Sequence, residues 1–159
     1  MRYILIDRIE RIDHSRRLRA VKTVSRSEDF FADHFPGQPV MPGALLIECM
    51  AQAGTMLLEI SRDLGVKALL VMVERAKFRA PVRPGDTLSI DVLVESSEEA
   101  LARLRCTALV QGRVVADAVL TFSINDVEPF YPEAIRKLVH IGYADLMRDT
   151  IVGPIPDEP

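Results

Sequence analysis

Three patterns of apolar residues divide the chain. Tyr3 to Ile12 is rich in Ile and Leu and reads as a strand. Arg16 to Val24 alternates weakly and pairs with it across the turn-like Asp13-His14-Ser15. From Ser25 to Pro42 the periodicity stops. This stretch reads as a loop carrying one aromatic pair, Phe30-Phe31, and it closes on Pro36, Gly37, Pro39, Pro42 and Gly43.

The second pattern is a helix. Pro42 suits a first helical position, the apolar run continues to about Asp63, and Gly65 is the expected C-terminal cap. Its first four turns are apolar on every side, so the helix is expected to be buried all round. The third pattern supplies a wrapper. Ala68–Phe78, Thr87–Ser96, Leu101–Gln111 and Arg113–Ile124 read as strands. The last places Val114, Ala116, Ala118, Leu120, Phe122 and Ile124 on one face at period two. Gln111-Gly112 makes a short hairpin turn, and Pro81 to Asp86 a loop. The expected fold is α+β: one long helix beside about six antiparallel strands.

Composition sharpens this picture. The 159 residues are 48% hydrophobic and 27% charged, the balance of a globular chain with a core of its own. No apolar run reaches the roughly 18 uninterrupted residues that span a bilayer, and charges break up the N-terminal stretch, so membrane insertion and a secretory signal are not expected. Cys49 and Cys106 lie far apart without metal-ligand spacing, which fits a reduced, cytoplasmic protein and no metal. A net charge of −3 disfavours nucleic acid as a partner. From Asn125 onward there are seven acidic and three basic residues and half of the ten prolines. This shift divides the chain into a domain at 1–124 and an extension at 125–159. In the extension, Pro132 to Arg148 reads as a short helix with Ile135, Leu138, Val139 and Leu146 on one face.

Two positions break the apolar helix. Glu48 and Gln52, four residues apart, stack on one face, where the amide can hydrogen-bond the carboxyl. Burial favours a protonated carboxyl, the form a general acid needs. A purely structural polar pair explains the same pattern. His34, in Asp33-His34-Phe35-Pro36-Gly37, is either an exposed loop histidine or a base. Gly43 opens the helix, where free N–H groups favour developing negative charge. Together the three form a base, an oxyanion donor and an acid, a set that suits proton abstraction beside a carbonyl with loss of a β-hydroxyl.

The stretch His34-Phe-Pro-Gly-Gln-Pro-Val-Met-Pro-Gly-Ala-Leu-Leu-Ile-Glu48-Cys-Met-Ala-Gln52 resembles the signature of the β-hydroxyacyl-(acyl carrier protein) dehydratases of the FabZ type. Lys77-Phe-Arg-Ala-Pro-Val-Arg-Pro-Gly-Asp86 resembles that family's second motif, and Tyr3-Ile-Leu-Ile-Asp-Arg-Ile9 its first strand. The likeness covers about Tyr3 to Ile124, and the first motif is long and specific. It implies a hot-dog fold and a homodimer or trimer of dimers, with His34 of one protomer facing Glu48 of the other. It also implies His34 as base, Glu48 as the group assisting departure of water, Gly43 N–H on the thioester carbonyl, and Gln52 orienting Glu48. It implies no cofactor of the enzyme itself. The acyl chain arrives on the phosphopantetheine arm of an acyl carrier protein and leaves as a trans-2-enoyl chain. Such carriers are acidic, so Arg75, Lys77, Arg79 and Arg83 are candidate docking residues by charge, or an ordinary solvated strand edge.

The sequence departs from the family pattern in four places. The segment with a Pro-His-Arg motif before the first strand is missing. Leu69 stands where many members carry a Tyr thought to gate the acyl tunnel. Ala44 replaces a larger branched residue. The tail after Ile124 is additional; covering the sheet and replacing the missing N-terminal segment are both open roles for it. Two other functions remain in competition: a hot-dog acyl thioesterase, and a non-catalytic partner subunit of a heteromeric dehydratase.

Overall fold

The computed structural model describes residues 4–156; Tyr3, the expected start of the first strand, and residues 157–159 of the acidic tail lie outside the described residues. The elements are β1 (Arg8–Asp13), β2 (Arg17–Thr23), α1 (Gly43–Ile60), β3 (Val66–Phe78), β4 (Thr87–Ser97), β5 (Leu101–Val110), β6 (Arg113–Asp126), α2 (Glu133–Leu146) and β7 (Ile151–Val152). They form one seven-stranded sheet in the order β3-β6-β5-β4-β2-β1-β7. Every pairing is antiparallel except β1 with β7. The two-residue β7 was not expected from sequence; it brings the tail back onto the sheet edge beside β1.

α1 begins one residue later than the pattern suggests. Pro42 is the N-cap, and its carbonyl accepts from Leu45 N at 2.9 Å. The helix also ends early, at Ile60 with Ser61 as C-cap, rather than near Asp63 with Gly65 as cap. Asp63 and Leu64 take positive φ values of 52° and 57°, and Leu64 N closes the turn on Glu59 O at 2.9 Å. The reversal that glycine makes at least cost is made here by two other residues. Gln111 and Gly112 both have positive φ, as the tight hairpin between β5 and β6 requires.

The expected strand from Tyr3 shortens to β1: Asp7 N still donates to Val21 O of β2 at 2.8 Å, but the chain before it turns to the helix. Leu5 N donates to Gln52 Oε1 of α1 at 2.8 Å, in place of a strand neighbour. In β6 the period-two face holds for Ala116, Ala118, Leu120 and Phe122, all buried. It fails at Val114, which is 39% exposed while Val115 is buried. Ala108 pairs with Ala116 but Leu109 with Val114, so an extra residue bulges out and reverses the alternation.

The core lies between α1 and the concave face of the sheet. Leu57, Leu58, Ile90, Leu104, Leu120 and Phe122 are closed to solvent or nearly so. By length and composition α1 could cross a membrane, but most of it is buried inside this fold. Both cysteines are buried, and burial pushes the Cys49 thiol up to about 12. Gly54 sets how closely the helix approaches the sheet. A Cβ there would lie 2.9 Å from Leu104 Cδ1 and 3.0 Å from Phe122 Cζ. Gly54→Val therefore overpacks the centre of the core and is expected to cost about 1–3 kcal/mol, read as a lower urea midpoint with unchanged slope.

Candidate functional site

One line of polar residues runs down α1. Glu48, Gln52, Thr55 and Glu59 recur at helical spacing, so they share one face. Gln52 uses both ends of its amide. Its Nε2 donates to Glu48 Oε1 at 2.9 Å, and its Oε1 accepts from Leu5 N. The backbone donor fixes which end of the amide points where, and so fixes the side of Glu48 that is held. Burial all round, as expected for α1, does not hold on this face. Glu48, Gln52 and Thr55 are half-buried, because the sheet curls around the other sides and leaves this one on a cleft.

The cleft has a volume of about 790 Å³. Its walls are α1, the segment before β1, the start of β3, and α2. Leu69, at the position where the family often has Tyr, lines it and is 36% exposed. Apolar side chains from Ile6, Met56, Leu70 and α2 make up most of the rest.

Where Glu48 opens on the cleft, Glu59 is shut away, with its residue only 1% exposed. Sequence reading missed it, although its place eleven residues after Glu48 on the same face was a usable signal. A buried carboxylate needs partners, and Glu59 has three. Oε1 accepts from Lys67 Nζ at 2.8 Å and Ala68 N at 3.1 Å, and Oε2 accepts from Tyr143 Oη at 2.5 Å. Burial and the Glu59 charge both push the Tyr143 hydroxyl well above its ordinary value. Burial pulls Lys67 down, but hydrogen bonds to Glu59 and Tyr131 outweigh it and hold the ammonium above its usual range. Lys67 Nζ also lies 5.0 Å from the centre of the Tyr131 ring. The cluster joins α1, β3 and the C-terminal extension. Glu59→Ala strips three donors of their acceptor at once and is expected to cost about 3–5 kcal/mol in urea unfolding, with Glu59→Gln losing less.

His34 is held in the loop before α1. Its Nδ1 lies 2.8 Å from Val40 O, and its backbone carbonyl accepts from Val40 N at 2.9 Å. The His34–Phe35 peptide is cis, and the two rings stack with centroids 4.0 Å apart. A carbonyl only accepts, so Nδ1 carries a proton, and a base at this ring would act through Nε2. Gly43 is the first residue of α1. A Cβ there would meet the Phe78 ring at 2.9 Å, so glycine lets β3 pass close to the helix start. Ala44 is exposed beside it. Within one chain Glu48 and Gln52 come together, whereas His34 and Gly43 do not line the cleft that Glu48 faces.

The candidate docking residues are spread along the end of β3 and the loop after it. Arg75, Lys77, Arg79 and Arg83 are all exposed. Arg79 already pairs with Asp117 at 2.7 Å, and Arg75 sits at a break in the β3 register with a φ of 52°.

A long helix wrapped by a curled antiparallel sheet, with a polar stripe opening on an apolar cleft, defines the hot-dog class. Solved structures with this fold include the dehydratase heterocomplex ApeI:P from Xenorhabdus doucetiae, at a TM-score of 0.64 and 16% identity over 86% of this chain and 89% of that one. A thioesterase from Haemophilus influenzae matches at a TM-score of 0.58 and 13% identity, over 73% of this chain and 76% of that one. At such identities the likeness is one of fold alone. Sequence narrows the class. Residues 1–119 match the model of the FabA-like domain. The chain is 38% identical to the 3-hydroxyacyl-acyl-carrier-protein dehydratase FabZ of Lactobacillus helveticus, over 77% of this chain and 84% of the relative. It is 39% identical to that of Bordetella petrii over 79% and 87%, and 40% identical to that of Klebsiella pneumoniae over 74% and 80%. The chain therefore belongs to the FabZ-type dehydratases of the FabA-like family.

Proposed function

We infer that this chain removes water from 3-hydroxyacyl groups carried on the phosphopantetheine arm of an acyl carrier protein, giving trans-2-enoyl products in fatty-acid or related acyl-chain synthesis. One observation carries the reading beyond family membership: Gln52 holds Glu48 at the mouth of an apolar cleft on the same helix. In this reaction His34 Nε2 takes the α-proton and Glu48 assists the β-hydroxyl to leave as water. The Gly43 N–H, at the positive end of α1, stabilises the enolate-like thioester oxygen. Gln52 is a positioning residue for Glu48. The free cysteines suit a cytoplasmic site of action. The exposed Arg75, Lys77 and Arg83 suit an acidic carrier.

The active assembly is a homodimer built on β3. This strand ends the sheet, and it leaves Val71, Met72 and Val73 at 55%, 53% and 42% exposed. An unpaired edge with contiguous apolar side chains is a pairing surface. Joining two copies there supplies the cleft of each protomer with the His34 loop of its partner.

Mass spectrometry of 3-hydroxyacyl-carrier protein tests the chemistry. Wild type is expected to remove one water, with His34→Ala and Glu48→Gln slower by about 10²-fold or more while remaining folded. Near-normal turnover in either variant would reject that residue's role, and appearance of free carrier thiol would move the assignment to a thioesterase. Sedimentation tests the assembly. Val71→Lys is expected to convert dimers to monomers and to abolish turnover together with them. A variant that stays dimeric, or a monomer that stays active, would overturn the β3 interface.

A further inference from the structure

The helix α2 lies beyond the residues matched by the family model, and it packs in an unusual way. None of its residues is fully buried, and Ile135 and Leu138 are 45% and 56% exposed. It is held near its C-terminal end by Tyr143 on the buried Glu59. Its apolar stripe of Ile135, Leu138, Val139 and Leu146 lines the cleft onto which Glu48 opens. Leu146 also packs against the core, whereas Ile135 and Leu138 face the cleft and remain exposed.

Gly142 sits on that stripe, four residues after Leu138 and four before Leu146, and it too lines the cleft. Glycine inside a helix is less favourable than alanine. Nothing in the fold demands it here. Its φ is outside the left-handed region, and a Cβ built on it meets no atom within 4 Å. Gly43 and Gly54, in contrast, are both required by side chains pressed against them. The effect of glycine at 142 is to leave the α2 wall of the cleft bare next to Tyr143, which bonds Glu59 eleven residues along α1 from Glu48.

We propose that Gly142 is a specificity-determining residue: the space it leaves admits the far end of the acyl chain, so that α2 sets the longest chain accepted. The occupant is the hydrocarbon tail of the carrier-bound substrate. The cleft starts at the carboxylate that meets the reacting carbons and then runs between apolar walls. From Glu48 to Met56, eight helical residues span about 12 Å, the reach of a medium-length acyl tail. Lys67, which also lines the cleft, is already paired with Glu59. This inference rests on the dehydratase reading above.

The test compares turnover of 3-hydroxyhexanoyl-, decanoyl- and tetradecanoyl-carrier protein by wild type, Gly142→Ala, Gly142→Leu and Ala144→Leu. Ala144 is exposed on α2 away from the cleft, so it controls for added bulk. Gly142→Leu is expected to lose about tenfold or more in kcat/KM for the longest chain relative to the shortest. Gly142→Ala shifts less in the same direction with no loss of thermal stability, and Ala144→Leu keeps the wild-type preference. An unchanged preference in Gly142→Leu, or an equal shift in Ala144→Leu, overturns the proposal. If circular dichroism shows Gly142→Leu unfolded, the Ala variant decides. If wild type dehydrates none of the three, the dehydratase reading fails by itself. Fluorescence of dansyl-undecanoic acid then judges the cleft: binding weakened only by Gly142→Leu supports the proposal, and equal binding by all variants overturns it.

Discussion

A helix with apolar side chains on nearly every side has no stable place except inside something else. For α1 the solution is a sheet long enough to curl around it, and the order of the strands follows from that need. The chain passes from β2 through the helix to β3, at the opposite edge of the sheet, and then fills the gap with β4, β5 and β6. Gly54 permits the close approach that makes burial complete on the sheet side. The face left over carries Ala44 and the polar Glu48, Gln52 and Thr55, while Glu59 continues the same polar stripe into the buried junction with β3 and α2. Polar residues on a helix mark where the wrapper stops, and the cleft lies there.

The four residues of that stripe face different surroundings, and the difference separates stability from chemistry. Glu59 sits where α1 meets β3 and α2, and it meets the cost of burial with an ammonium, a backbone N–H and a phenol. It serves as a fixed strut, and its one tie to the extension is Tyr143. Glu48 has a carboxyl in the same stripe but only one held oxygen, and it faces space. A carboxylate with spare valence beside an apolar cleft is available to a substrate, whereas one with all its neighbours supplied is not. The same residue type therefore does structural work at one end of the helix and is free for catalytic work at the other.

Much of this was legible in the chain because it depended on short-range rules. Pro42 and Gly43 marked the helix start, period two marked β6, and the i, i+4 spacing brought Glu48 and Gln52 together as observed. What was not legible depended on partners remote in sequence. The chain at Leu5 leaves the sheet because its N–H is claimed by Gln52, 47 residues away. Val114 turned outward because of a bulge set by pairing with β5. Glu59 looked like an ordinary polar residue near a helix end, since its partner Tyr143 is 84 residues distant. The fold class and the Glu48–Gln52 pair rested on local pattern, and the buried network rested on tertiary contact that no pattern carries.

The placement of His34 gives the quaternary argument its force. Elimination needs a base at the α-carbon and an acid at the neighbouring β-oxygen, so both groups must reach adjacent atoms of one substrate. The His34 loop is tied down at Val40 by two hydrogen bonds, which limits how far the ring can travel. The cleft of Glu48 includes no part of that loop. On the proposed reading, a single copy thus holds the acid beside the cleft and the base elsewhere. The sheet edge carrying the exposed apolar residues is β3, whose first residues line the cleft and whose Phe78 presses on Gly43 at the end of the His34 loop. In the proposed homodimer, pairing two copies along that edge would join the two halves of the chemistry by the same contact that covers the apolar strand. In the homodimer proposed above, the drive to hide Val71, Met72 and Val73 from water would also assemble the active site.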